Sequence, residues 1–340
     1  MSTLAHRERL PVNVLTGFLG SGKTTLLNRW LKSPALAGTA VLINEFGEVG
    51  LDHHLVETVD GAPVLLSNGC VCCAIRGDLT DALLRLEAKR LSGEIPGYQR
   101  VLVETTGIAD PAPILATLLH DQELRHHVRP GRVLTTVDAV TAGNALDRFR
   151  EGAQQVALAD TLILTKTDMA NAEDLRGLTA RLRALNPAAP QYLAADAGGA
   201  LITAGDTPFD ELRRQVFDPG SVEHSVAHGG RYRSLSLVLD APLDWTAFGL
   251  WLSMLLHIHG ARILRVKGLL HLTDGRPPVV INGVQHLVHP PYHLANWPHL
   301  DRRSRLVFIT EGLDAAVLEK SLQVFNAAAM TLRSGVHSLP

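Results

Sequence analysis

Residues 17–24 read Gly-Phe-Leu-Gly-Ser-Gly-Lys-Thr, a full match to G-x-x-x-x-G-K-[ST]. The apolar run 12–16 precedes it with strand character, and 25–31 continues it as a helix. A strand, a glycine-rich loop and a helix in that order form a phosphate-binding turn, so this stretch constrains the chain more than any other. Glycines at 17, 20 and 22 let successive N–H groups face one anion, and the helix N-terminus adds partial positive charge. Gly20, Ser21, Gly22, Lys23, Thr24 and Thr25 are then the cradle. Lys23 is expected to reach the β- and γ-phosphates and the Thr24 hydroxyl to ligate Mg²⁺. The plain alternative, a glycine-rich turn without ligand, is disfavoured by the match in its full context. A nucleoside triphosphate is therefore the expected ligand.

From residue 11 to about 196, apolar runs alternate with helical patterns, which predicts an α/β fold with a doubly wound, mostly parallel sheet. Strands are expected at 12–15, 40–43, 63–66, 100–104, 132–137, 161–165 and 191–194, and helices at 23–31, 79–91, 111–119, near 153–158 and 171–184. Ligands of such sheets sit at the carboxyl ends of the strands. Three loops there carry chemistry. Residues 44–52, Asn-Glu-Phe-Gly-Glu-Val-Gly-Leu-Asp, read either as a solvated turn or as a segment that senses the γ-phosphate. Residues 101–107 form an apolar strand ending in Glu104, then Gly107. An acid at a strand tip beside a phosphate loop holds Mg²⁺ or its water, and Gly107 would let backbone approach the γ-phosphate. Residues 165–168, Thr-Lys-Thr-Asp, fit [NT]-K-x-D with Thr165 in the place usually taken by Asn. Asp168 can accept from the N1–H and 2-amino group of guanine, which adenine lacks, so GTP is favoured over ATP, with Lys166 beside it.

All three cysteines of the chain are Cys70, Cys72 and Cys73. No further cysteine can pair with them, so a disulfide framework is excluded, and clustered thiols read first as metal ligands or redox groups. Zn²⁺ takes tetrahedral sulfur ligation, and three close thiols leave a fourth position open. Glu48, Asp52, His53 and His54 are the nearest candidates to fill it. A redox switch and three inert buried thiols are the competing readings. A net charge of −2 gives no electrostatic case for nucleic acid or a membrane surface. No apolar run reaches the ~20 residues of a spanning helix, and the N-terminus lacks an apolar signal core, so the cytoplasm is the expected location.

Together, GFLGSGKTT, NEFGEVGLD, NGCVCC, ETTGIADP and TKTD resemble the CobW-like P-loop GTPases, a family of metallochaperones and metal-insertion proteins. The resemblance runs in order from about residue 11 to 168. It implies GTP hydrolysis coupled to delivery of a metal, most often zinc, with Co²⁺ also served in the family, to a client metalloprotein. By the same resemblance Lys23, Thr24 and Glu104 serve GTP or GDP and Mg²⁺, while Cys70, Cys72 and Cys73 hold the cargo metal; Glu48, from its nearness in sequence, is the expected further ligand. A homodimer is compatible with it. Two other readings stay open at this point: a P-loop kinase of a small metabolite, and a metal or redox sensor whose nucleotide only stabilises the fold. No glutamine or arginine finger is readable near the phosphates, so slow intrinsic hydrolysis is expected.

The expected division is 1–215 for the nucleotide domain, 216–230 for a linker and 231–330 for a small second domain. The second is expected to run β-α-β-β-β-α, with strands at 234–239, 263–272, 278–287 and 306–310 and helices at 244–257 and 313–325. It looks like the family's C-terminal domain. Trp245, Phe248, Leu252 and Leu255 share one helical face and are expected in its core. His224 and His228 in the linker, and the seven histidines 257, 259, 271, 286, 289, 293 and 299, read as bystanders ahead of metal ligands.

Overall fold

The computed structural model describes residues 9–32, 36–44, 64–65, 71–75, 78–203, 231–298 and 300–336. The chain divides into two compact units: Met1–Ala180 with Ala189–Pro208, and Arg181–Ala188 with Phe209–Pro340. The linker expected at 216–230, with His224 and His228, lies outside the described residues.

The first unit runs β1 (Leu10–Gly17), α1 (Lys23–Leu31), β2 (Thr39–Asn44), β3 (Val64–Leu65), β4 (Val71–Ile75), α2 (Leu79–Ser92) and β5 (Arg100–Glu104). It continues with α3 (Ala112–His120), α4 (Leu124–His127), β6 (Val128–Asp138), α5 (Ala142–Arg148), α6 (Arg150–Leu158), β7 (Thr161–Thr165), α7 (Ala172–Leu185, counted with the second unit from Arg181 on), β8 (Gln191–Leu193) and α8 (Ala200–Thr203). The sheet order is β3-β4-β2-β5-β1-β6-β7-β8. Every pairing is parallel except β3 with β4. β1 lies between β5 and β6, so the loop after β1 opens at the carboxyl edge where the chain order reverses.

Alternation splits each strand between two cores. Val41, Ile43 and Leu102 face one cluster with Leu26, Leu27 and Trp30 of α1. Ala40, Leu42, Val101 and Val103 face the other, with Leu83 and Leu86 of α2 and Leu118 of α3. Both faces are covered, which is why the strands read as near-continuous apolar runs. α1 buries Lys23, Leu26, Leu27, Trp30 and Leu31, one stripe at helical spacing.

Of the strand expected at 63–66, the described residues Val64–Leu65 form an edge strand, antiparallel to β4. One expectation changes here. The stretch expected as a cysteine-bearing loop becomes β4 from Val71, registered on β2 through Val41↔Cys72 and Leu42↔Cys73. Neighbouring cysteines suggested a metal loop, whereas Val71–Ile75 supplies the short apolar run that extends the sheet past β2.

The second unit runs β9 (Tyr232–Leu239), α9 (Trp245–His259), β10 (Ile263–Leu270), β11 (Val279–Val284), β12 (Leu287–Val288), β13 (Tyr292–His293), β14 (Ser304–Glu311) and α10 (Ala315–Val336). Its antiparallel sheet has the order β12-β11-β10-β14-β9, with β13 added on β11. The strand expected at 278–287 is thus a hairpin, turned at Gln285, whose φ is 52°. Phe248, Trp251, Leu252 and Leu255 of α9 pack with Phe308 of β14 and with Leu318 and Leu322 of α10. Trp251, not Trp245, is the core tryptophan: it is 3% exposed and Trp245 is 42% exposed. Trp245 begins the helix, beside the Asp244 cap that accepts from Ala247 N–H at 2.9 Å, and so falls at the rim of the buried stripe.

No helix among the described residues is long and apolar enough to cross a membrane.

Candidate functional site

The turn after β1 closes through Ser21 N–H donating to the Phe18 carbonyl at 3.0 Å. Gly22 then starts α1 from the left-handed region, at φ 82°, where a side chain would be strained. Gly20 has φ 72°. Gly17 is fixed by space, since a Cβ there would collide with Thr136. Lys23 is 8% exposed and donates its ammonium to the carbonyls of Gly17 at 2.7 Å and Phe18 at 3.3 Å. Burial pulls its pKa below the ordinary lysine value, against the opposing charge of Glu104. The cation is therefore centred on the loop, where an anionic phosphate would be stabilised by it.

Glu104 ends β5 opposite Leu15 of β1, and it is 4% exposed. Its Oε1 accepts from Thr24 Oγ1 at 2.8 Å. Thr105 ties the two strand ends together, donating its N–H to Leu15 O at 2.9 Å and its hydroxyl to Thr16 Oγ1 at 2.9 Å. A hydroxyl and a carboxylate meeting at the mouth of a phosphate loop are the hard oxygen donors that Mg²⁺ takes, so these residues fit the ion. Gly107 is buried against the same loop: a Cβ on it would lie 2.7 Å from Leu19 Cα.

The 165–168 loop joins the site through its first residue. Thr165 Oγ1 donates to Ser21 O at 2.8 Å, from the end of β7 to the phosphate loop. Lys166 adopts φ 53°, and its ammonium reaches Asp138 Oδ2 at 2.6 Å. Asp138 also accepts from Val140 N–H at 2.8 Å and Thr141 N–H at 3.2 Å. Burial raises the pKa of Asp138, but the Lys166 bond and those two N–H groups outweigh it and hold the carboxyl below its ordinary value. Asp168 is exposed at the rim, and Thr25 is exposed on the first turn of α1. The turn after β8 is fastened to α1, because Trp30 Nε1 donates to Ala197 O at 2.8 Å and Arg29 to the carbonyls of Ala194 and Ala197.

Sequence reading missed two participants, Asp138 and Gln155. The Gln155 amide donates to the carbonyls of Gly107 at 3.2 Å and Ala109 at 2.9 Å. Neither residue sits in a recognisable motif, and only the fold brings them to the loops. A spacing signal for Asp138 did exist, since it ends an apolar strand in the same sheet.

Glu48, Asp52, His53, His54 and Cys70 lie outside the described residues, and Cys72 and Cys73 are described only by the backbone of β4. Among the described residues no group of three or more His, Cys, Asp or Glu gathers as a metal site, so the histidines at 257, 259, 271, 286, 289 and 293 do not converge; His299 is outside the description.

Residues 11–192 match the family model described as CobW/HypB/UreG, nucleotide-binding domain, and 232–326 match the Cobalamin synthesis protein cobW C-terminal domain. The chain is 34% identical over 302 residues to the zinc chaperone YjiA of Escherichia coli, covering 88% of this chain and 93% of that protein. It is 33% identical over 229 residues to the zinc chaperone CobW of Pseudomonas aeruginosa, covering 58% and 59%. The crystal structure of Zn(II)-bound YjiA GTPase from E. coli superposes with a TM-score of 0.71 at 29% identity, over 93% of this chain and 99% of that one.

Proposed function

Since the chain belongs to the CobW family, joining its nucleotide-binding domain to its C-terminal domain, we propose that it is a GTP-hydrolysing zinc chaperone that hands its metal to a client metalloprotein. The observation that carries the nucleotide half is the 2.8 Å contact of Thr24 with Glu104 beside the buried Lys23. Lys23 and the N-terminus of α1 bind and orient the phosphates. Thr24 and Glu104 would hold Mg²⁺, which when bound neutralises charge on the phosphates. Gly20, Ser21, Gly22 and Thr25 line the cradle, and Gly107 brings backbone alongside it. Asp168 selects guanine through two accepted hydrogen bonds, with Lys166 held over the base side by Asp138.

Zinc is the cargo. Cys70, Cys72 and Cys73, with Glu48 as the fourth candidate, are the proposed ligands; Co²⁺ would suit the same donors. The support for coupling is in the sheet. β2 lies between β4 and β5, with Val41 opposite Cys72 and Ile43 opposite Glu104. The cysteine strand and the Glu104 strand are therefore two strand spacings apart, about 10 Å. Residues 44–52, of which only Asn44 at the end of β2 is described, would order with the γ-phosphate and relax on hydrolysis. The nucleotide can shift zinc affinity only by as much as zinc shifts nucleotide affinity. The proposed location is the cytoplasm, where thiols are kept reduced and able to take a metal, and a homodimer belongs to the same proposal.

The test is Zn²⁺ affinity by chelator competition, with GDP and with a non-hydrolysable GTP analogue, on the native chain and on Cys72→Ser. The expected result is at least about tenfold tighter zinc with the analogue, roughly 1.4 kcal/mol of coupling, abolished in the variant. Equal affinity in the two nucleotide states would defeat the gated-carrier reading.

A further inference from the structure

Among the described residues, Gln155 is a glutamine that the fold brings to the proposed nucleotide machinery through a neighbouring loop. It sits on α6, whose residues Gly152–Leu158 are all buried, and it is itself 1% exposed. Both of its backbone-directed bonds go to one short segment: Nε2 donates to Gly107 O at 3.2 Å and to Ala109 O at 2.9 Å. Its backbone carbonyl accepts from Thr135 Oγ1 at 3.0 Å, which fixes α6 to β6. The segment it grips starts three residues after Glu104 and packs on the phosphate loop, with Leu19 in the space a Gly107 side chain would need. Phe18 of the same loop lies against Phe149, the residue just before α6, with ring centroids 4.9 Å apart. A cavity lined by Phe18, Leu19, Ser21, Thr136 and Gln155 separates these parts.

A leucine would fill the Gln155 position with the apolar character of its neighbours on α6. The amide is there because two carbonyls two residues apart, that of Gly107 buried and that of Ala109 partly buried, need donors, and one planar NH₂ group can serve both. Two bonds from a side chain locked in a buried helix fix the position and the direction of the Gly107–Ala109 backbone. We infer that Gln155 is a positioning residue for the triphosphate state: it presets the loop after Glu104 against the phosphate loop, so that the terminal phosphate meets a backbone already in place. This rests on the GTPase reading above. Without Gln155 the loop would have to be ordered by the γ-phosphate itself, and that ordering would weaken triphosphate binding while leaving the diphosphate, which does not reach the loop, unaffected.

The experiment uses the full chain with Mg²⁺ and measures affinity for GDP and for a non-hydrolysable GTP analogue by displacement of a fluorescent nucleotide, together with steady-state GTP hydrolysis. For Gln155→Leu, GDP affinity is expected within about twofold of native, the analogue about tenfold weaker and kcat about tenfold lower. If Gln155→Leu does not fold, Gln155→Glu carries the same comparison. Its carboxylate has no donor, whereas its protonated form regains one, so the analogue-to-GDP affinity ratio should recover on acidification in the variant and stay flat in the native chain. An equal loss for both nucleotides would assign Gln155 a purely structural role and overturn the inference, as would no loss for either. A native chain that bound neither nucleotide would overturn the functional reading as well; one that bound both, with only the variant ratio unchanged, would overturn this inference alone.

Discussion

Thr165 donates its hydroxyl proton to the carbonyl oxygen of Ser21 over 2.8 Å, linking the 165–168 loop, the proposed reader of the base, to the glycine-rich turn after β1, the proposed phosphate cradle. The same hydroxyl also lies 3.3 Å from Val137 O. Threonine in place of the usual asparagine therefore does not loosen the loop. A short hydroxyl at the end of β7 reaches the phosphate loop directly. Thr165→Val keeps the shape and removes the donor, leaving a buried carbonyl with a lost partner. It should lower stability by about 1–2 kcal/mol and weaken GDP and GTP alike. Chemical denaturation and nucleotide titration check this; an affinity loss confined to GTP would contradict it.

Glu104→Gln removes a negative charge from the Thr24 contact but keeps an oxygen that can accept its proton. The phosphate cradle should survive and the demand for Mg²⁺ should rise. Turnover is expected to fall by at least about tenfold at limiting Mg²⁺ and to recover in part at saturation. The dependence of kcat on Mg²⁺ concentration measures it. A curve superimposable on the native one would remove Glu104 from the metal's surroundings.

Asp138 and Lys166 form an ion pair at 2.6 Å in which the carboxylate side chain is almost fully buried. Asp138→Asn should weaken guanine nucleotides by about tenfold, because Lys166 loses the charge that holds it. The pH dependence follows from the depressed pKa of Asp138. Its contribution to stability is complete above the unfolded-state value, near 4, and is lost as pH falls through the lower native value. The stability difference between native and Asp138→Asn chains should thus be full at pH 7 and shrink below about pH 4. Denaturation at a series of pH values reads the difference, and a gap that widens on acidification would show the sign to be wrong.

Trp251 anchors the second unit, edge-on to Phe308 at 6.2 Å, and donates its Nε1–H to Ser321 Oγ at 2.8 Å. Trp251→Ala should destabilise that unit by about 3–5 kcal/mol through the cavity it leaves. Trp245→Ala, at the exposed start of the same helix, should change stability by less than about 1 kcal/mol. Thermal melts of the two variants distinguish them, and equal effects would return Trp245 to the core.

The phosphate loop, its helix, the Glu104 strand and the 165–168 loop were legible because each is a continuous run whose chemistry and element type are set by neighbours in sequence. Backbone sterics at glycine, the period of apolar residues and the strand-to-helix switch act over a few residues, and they carry the α/β class with them. The pairing of β4 with β2, the choice of Trp251 over Trp245, and the arrival of Asp138 at Lys166 and of Gln155 at Gly107 were decided only by tertiary structure. Those partners are 28 and 48 residues apart. What joins them is the order in which parallel strands stack and the need of buried carbonyls and charges for a partner, and neither leaves a local pattern in the chain.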